Sequence, residues 1–154
     1  MVWPALAVLL FDQISKFAVA GSLMLYETVP VVTGFFNLVH TRNRGMAFGL
    51  MNRPDIGPGF IFLVVASIAA IVVLLIWFFR LKEDEKLMTF GLSLVLGGAA
   101  GNLIDRILFR EVIDFIDIYY GRYHWPAFNI ADSAITTGTL LIAACLLFKR
   151  HPER

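Results

Sequence analysis

Four long apolar stretches constrain this chain more than any other feature. Residues 2–20, 59–79, 87–108 and 127–148 are each long enough to cross a hydrocarbon core, which takes about 20 residues of helix. Gly59–Phe79 carries no charge, Val2–Ala20 is broken only by Asp12 and Lys16, and Ala127–Phe148 holds only Asp132. The third stretch is uncharged from Leu87 to Ile104 and runs a turn further past Asp105 and Arg106. Lipid offers backbone groups no partner, so each stretch must satisfy its own as a helix. Composition agrees, with 16% charged residues where a soluble domain has about 25%. The first stretch lacks a basic leader and has an Asp and a Lys inside its apolar part, so a retained helix is expected, not a cleaved signal peptide.

The expected fold is therefore an all-α polytopic membrane protein of four transmembrane helices, forming one membrane-embedded domain over residues 1–154. Its connections are unequal. Arg80–Lys86 is a tight polar turn, whereas 21–58 and 109–126 are long loops. An even number of spans puts both termini on the side of the short turn and the long loops on the other. Lys and Arg are nearly tied between the sides by number, but their density on the short side (Arg80, Lys82, Lys86, Lys149, Arg150, Arg154) orients it inward. Phe35–Thr41 is rich in aromatic and β-branched residues, as a strand is, and Asn43-Arg44-Gly45 reads as a turn. A small sheet on the outer membrane surface is expected. A net charge of +1 excludes a strongly basic nucleic-acid binder. A single cysteine, Cys145, excludes an intramolecular disulfide and a Cys-based zinc cluster.

Ionisable side chains within a membrane are costly and each needs a reason. Chain direction places Asp12 and Lys16 in the outer half of the first helix, Asn102, Asp105 and Arg106 at the outer end of the third, and Asn129 and Asp132 at the outer mouth of the fourth. Asp114 and Asp117 lie in the loop between the last two. Buried polarity thus collects at one depth. Each element also has a plain structural account. Asp12 and Lys16 are spaced for an internal ion pair. Gly97, Gly98 and Gly101 suit close helix packing, with Asn102 as interhelical glue. Asn129 with Asp132 matches a helix cap. Asp105 and Arg106 could form a local pair, and Asp114 and Asp117 in an aqueous loop would ordinarily be solvated. His40, His124 and Cys145 stand in no motif.

The chemistry open to this set is narrow. There is no HExxH helix, and Ser15 and Lys16, adjacent on a helix, point about 100° apart and cannot readily form a dyad. What remains is several carboxylates without metal-ligand spacing. Two carboxylates held close share a proton, so one can activate water while the other polarises a carbonyl. The pattern permits an aspartyl hydrolase at the outer membrane surface, without choosing the two aspartates.

Five blocks resemble the bacterial lipoprotein signal peptidases, also called type II signal peptidases. They are Asp12-Gln13-Ile14-Ser15-Lys16; Asn43-Arg44-Gly45-Met46-Ala47-Phe48-Gly49; the run from Gly97 to Arg106; Val112-Ile113-Asp114-Phe115; and Phe128-Asn129-Ile130-Ala131-Asp132. They occur in family order across nearly the whole chain. The resemblance implies an aspartic endopeptidase of the bacterial cytoplasmic membrane, cutting diacylglyceryl-modified prolipoproteins before the lipidated cysteine. It maps the catalytic pair to Asp114 and Asp132, and makes Asp12, Lys16, Asn43, Asn102, Asp105, Arg106 and Asn129 supporting residues. It implies no cofactor and no metal, partners limited to lipid-modified signal peptides and membrane phospholipid, cytoplasmic termini, an active site near the extracytoplasmic face and a monomer. The first long loop would supply a strand cradle and, after Asn43, a short lid. A helix N-terminus favours negative charge, so Asp132 is expected as the ionised base and Asp114 as the protonated acid. Rival readings are a small transporter relaying protons or cations, which calls for polar groups through the membrane depth, and a non-catalytic assembly subunit.

Overall fold

The computed structural model describes residues 1–45 and 57–148. The Met46–Gly49 part of the second motif, the segment expected to act as a lid and the basic tail from Lys149 lie outside the described residues. The apolar stretches form four helices long and apolar enough to cross a membrane. These are α1 (Trp3–Ser22), α2 (Pro58–Arg80), α3 (Lys86–Phe109) and α4 (Ile130–Leu147). Proline opens α1 and α2, where its missing N–H belongs to the unsatisfied first turn in any case. Arg110 closes α3 in the left-handed region, at φ 63°. Asn129 caps α4, accepting the Asp132 N–H on its side chain.

The helices are not equivalent. Only Leu63 of α2 is buried, and large apolar side chains such as Phe62 and Val73 stand exposed on it, as suits a lipid-facing helix. By contrast α3 is the central helix, packing against all three others. Glycine makes this possible. A Cβ on Gly97 would lie 2.5 Å from the Ala5 carbonyl of α1. One on Gly98 would clash with the Ala131 carbonyl of α4, and one on Gly138 would lie 2.5 Å from the Gly91 carbonyl. Without a hydrophobic drive between helices in lipid, such close backbone approach supplies the packing.

At one end of the bundle sits an antiparallel sheet in the order β1-β2-β3-β4. Its strands are β1 (Thr28–Val32), β2 (Phe36–Asn43), β3 (Val112–Tyr120) and β4 (Tyr123–His124). The strand expected around Phe35–Thr41 is β2. The second long connection differs from expectation, since most of 109–126 is strand. Its two aspartates broke the usual strand pattern, and residues 112–115 are buried in succession because β3 lies between β2 and the ends of α1 and α3. β3 leaves α3 after a turn of two residues, so the sheet is held at the end where α1 and α3 stop and α4 begins.

Candidate active site

Asp12 and Lys16, one turn apart on α1, face inward with exposures of 0% and 1%. The Lys16 Nζ is 2.7 Å from Asp12 Oδ2 and 2.7 Å from Asp105 Oδ2 of α3. It also donates to Asn102 Oδ1 at 2.9 Å. An ammonium has three protons, and all three are thereby used. The remaining oxygens are occupied as well. Asp12 Oδ1 accepts the Ala131 N–H at 2.9 Å, one of the orphan donors in the first turn of α4. Asp105 Oδ1 accepts from Gln13 at 2.9 Å. Ser15 donates to the Asp12 carbonyl, away from any pairing with Lys16.

Two asparagines carry this cluster outward. Asn102 turns its carbonyl to Lys16 and its amide to Asp132 Oδ1, at 2.8 Å, an orientation dictated by the charge on either side. Asn129, with no exposed surface, donates from Nδ2 to Asp114 Oδ1 at 2.8 Å and to the Ile113 carbonyl at 3.2 Å. Its Oδ1 accepts the Asp132 N–H at 2.9 Å. Asn43, at the end of β2, adds a 3.3 Å bond to Asp114 Oδ2.

Asp114 and Asp132 both line an open cavity of about 720 Å³, together with Asn43, Asn102, Arg106, Trp125 and Phe128. Arg106 donates to the Asn102 and Gly45 carbonyls, each at 3.3 Å. Burial pushes the Asp114 carboxyl up to about 7, and the nearby Asp132 charge pushes the same way, against the bonds from Asn43 and Asn129 and the charge of Lys16. A carboxyl with that pKa can hold a proton near neutrality and donate it.

Asp12, Lys16, Asn43, Asn102, Asp105, Arg106, Asp114, Asn129 and Asp132 thus come together at the sheet end of the bundle. Two others had no assigned role. Gln13 ties Asp105 to the Gly101 carbonyl. Asp117, expected as a solvated loop charge, is 7% exposed, bonded to His124 Nδ1 at 2.8 Å and to Asn37 Nδ2 at 2.8 Å. His124 stacks on Tyr119, with ring centroids 4.9 Å apart, and precedes the Trp125–Phe128 wall of the cavity. His40 is buried and its Nδ1 lies 2.9 Å from the Leu23 carbonyl. The contacts of Asp117 and His124 cross between strands and that of His40 reaches the end of α1, so no local motif announces them. At the rim, Glu111 pairs with Arg42 at 2.6 Å and Arg44 at 3.1 Å. Burial raises its pKa, but the two guanidinium bonds outweigh it and hold the carboxyl below its ordinary value.

Fold and site define a multi-pass membrane protein with a carboxylate-lined cavity at one end of its bundle. The chain belongs to the signal peptidase (SPase) II family, whose model matches residues 4–148. It is 49% identical over 147 residues to the lipoprotein signal peptidase of Syntrophus aciditrophicus, covering 95% of this chain and 91% of that protein. To the lipoprotein signal peptidase of Desulforapulum autotrophicum it is 44% identical over 149 residues, covering 95% and 90%. A bacterial membrane enzyme solved by the in meso method at 2.3 Å superposes with a TM-score of 0.88 at 32% identity, covering 99% of this chain and 92% of that one. Family membership makes the chain a bacterial membrane protease that processes the signal peptides of prolipoproteins.

Proposed function

We propose that this protease is an aspartic endopeptidase with Asp114 and Asp132 as its catalytic pair, cutting diacylglyceryl-modified prolipoproteins before the lipidated cysteine. The reading treats residues 1–154 as one membrane-embedded peptidase domain. One observation carries it. Asp12 and Asp105 are bound to Lys16, and Asp117 to His124 and Asn37, whereas Asp114 and Asp132 line the cavity and meet through Asn129. In the proposed reaction ionised Asp132 takes a proton from water as the hydroxyl adds to the scissile carbonyl. Protonated Asp114 donates a hydrogen bond to the carbonyl oxygen. Collapse of the tetrahedral intermediate breaks the C–N bond, and the proton held by Asp132 passes to the leaving amine, giving a signal-peptide carboxylate and a free cysteine amine. Asn43, Asn102, Arg106 and Asn129 position the pair, and the Asp12–Lys16–Asp105 cluster fixes the helices that carry them.

The substrate's lipid holds its cysteine at the membrane surface, the depth at which these carboxylates lie in the proposed orientation, with both termini cytoplasmic and the sheet outside. Apolar helix faces around the cavity suit acyl chains and an apolar peptide, so membrane phospholipid and a single copy of the chain suffice as surroundings. A proton or cation pathway would need polar groups along the bundle. Among the described residues the buried polar side chains lie at the sheet end, Ser93 apart. The test is cleavage of a diacylglyceryl-modified prolipoprotein by the purified protein in detergent, with and without chelator. Loss of cleavage in folded Asp114→Asn and Asp132→Asn, with no effect of chelator, is expected. Cleavage that survives either substitution overturns the pair.

A further inference from the structure

On α4 the cavity continues past Asp132. Thr136 stands one turn beyond Asp132, and Thr137 one turn beyond Ser133, and all four line the cavity. Several other helix hydroxyls are satisfied by the carbonyl one turn back. Ser67 donates to Leu63, Thr89 to Glu85, Ser93 to Thr89 and Ser133 to Asn129. Thr136 and Thr137 are exposed, and neither makes a side-chain hydrogen bond among the described residues. Ser22 and Thr139 are likewise exposed helix hydroxyls without a side-chain hydrogen bond among the described residues, but neither lines the cavity.

A substrate brought to the aspartates has the complementary need. A helical peptide hides its carbonyls in its own hydrogen bonds, so the bond to be cut must lie in an extended stretch. At membrane depth that stretch leaves backbone N–H and C=O groups with no water to satisfy them. A hydroxyl both donates and accepts, so a pair of free threonine hydroxyls next to the proposed base can satisfy either group. Because α4 runs from Asp132 away from the sheet and into the apolar bundle, these hydroxyls meet the part of the signal peptide that lies in the membrane.

We propose that Thr136 and Thr137 form a substrate-binding ledge that hydrogen-bonds the extended backbone of the signal peptide on the amino-terminal side of the scissile bond. The inference rests on Asp132 being catalytic. The test compares Thr136→Val/Thr137→Val with Thr136→Ser/Thr137→Ser on a lipid-modified prolipoprotein in detergent. Valine keeps the branched shape and removes the hydroxyl, while serine keeps the hydroxyl. The valine pair is expected to lose about tenfold or more in kcat/KM, the consequence of leaving a buried backbone group unpaired. The serine pair is expected to stay near the parent. Parental kinetics in the valine pair, or an equal loss in the serine pair, overturns the ledge. If the valine pair fails to accumulate, Thr136→Val and Thr137→Val are read singly by the same criteria. Asp132→Asn assayed alongside separates the two ideas, since cleavage by that variant removes the catalytic assignment whatever the threonines do.

Discussion

The side chain of Asn129 donates to Asp114 Oδ1 at 2.8 Å and accepts the backbone N–H of Asp132 at 2.9 Å. One amide therefore fixes a carboxylate borne on a strand against the first turn of a helix. It also serves as the cap of that helix, so structure and site depend on the same atoms. Asn129→Leu removes the cap, worth about 1 kcal/mol, and leaves buried partners unpaired, at about 1–3 kcal/mol. A stability loss of about 2–4 kcal/mol by chemical denaturation in detergent is expected, together with loss of cleavage.

Asp114 gives the site a pH signature. Its pKa lies near 7 in the folded protein, against an ordinary value of 3.8. The folded state therefore binds its proton more tightly than the unfolded chain does. The stability this group contributes is fully present below the ordinary value and is lost as pH rises through about 7. Asp114→Asn cannot ionise, so its stability relative to the parent should increase from pH 5 to pH 8, as read from thermal unfolding. A constant difference across that range would contradict the raised pKa. In the parent, kcat/KM should fall on the alkaline side as Asp114 loses its proton.

Removing Lys16 has a different consequence. Lys16→Met leaves Asp12 and Asp105 buried at 0% and 1% exposure with no cation between them. Breaking one partner out of a buried ion cluster costs about 3–5 kcal/mol. Thermal unfolding in detergent should show that loss, and Lys16→Met/Asp105→Leu should recover part of it by removing one of the stranded charges.

Gly101 packs on the same cluster. A Cβ there would lie 2.6 Å from Asp12 Oδ2, an oxygen held by Lys16. Gly101→Ala should displace Asp12, weaken its bond to the Ala131 N–H and lower cleavage, whereas Gly121→Ala, also a glycine substitution but with open space around it and strained only by its own positive φ, should leave cleavage intact. Cleavage rates of the two variants decide this.

His124→Phe tests the sheet. It keeps an aromatic ring over Tyr119 but removes one of the two side-chain partners of Asp117. A hydrogen bond to a charged group is worth about 1.5–3 kcal/mol, so denaturation should report a loss of that order. KM should rise more than kcat falls, since the Trp125–Phe128 wall is what shifts.

The helices and the polar centre were legible because lipid makes the rules severe. A run such as Gly59–Phe79 has one plausible conformation there, and Lys16 or Asp105 inside such a run demands a partner. The sheet was half legible. The β-branched and aromatic residues of β2 announce a strand, but Val112–Tyr120 carries Asp114 and Asp117 three residues apart, off the two-residue period of a strand, and it is buried by segments far away in sequence. The asparagine orientations were beyond reach for the same reason. Nothing near Asn102 indicates that its carbonyl will face Lys16 and its amide Asp132. Choosing Asp114 over the more deeply buried Asp105 rested on family resemblance, and the pairing of Asp105 with Lys16 now gives that choice a physical ground.

The bond between Asp12 and the Ala131 N–H joins residues 119 positions apart. During synthesis α1 emerges long before α4 exists, so for most of that time Asp12 and Lys16 have only each other for neutralisation. The centre is closed when the final helix arrives and offers its unsatisfied first turn. A chain truncated before α4 would lack Asp132, Asn129 and the group that completes Asp12, so under the proposed catalytic pair hydrolytic competence is withheld from every shorter intermediate. On that proposal the membrane receives no half-built protease, because completing the bundle and completing the catalytic pair are a single event.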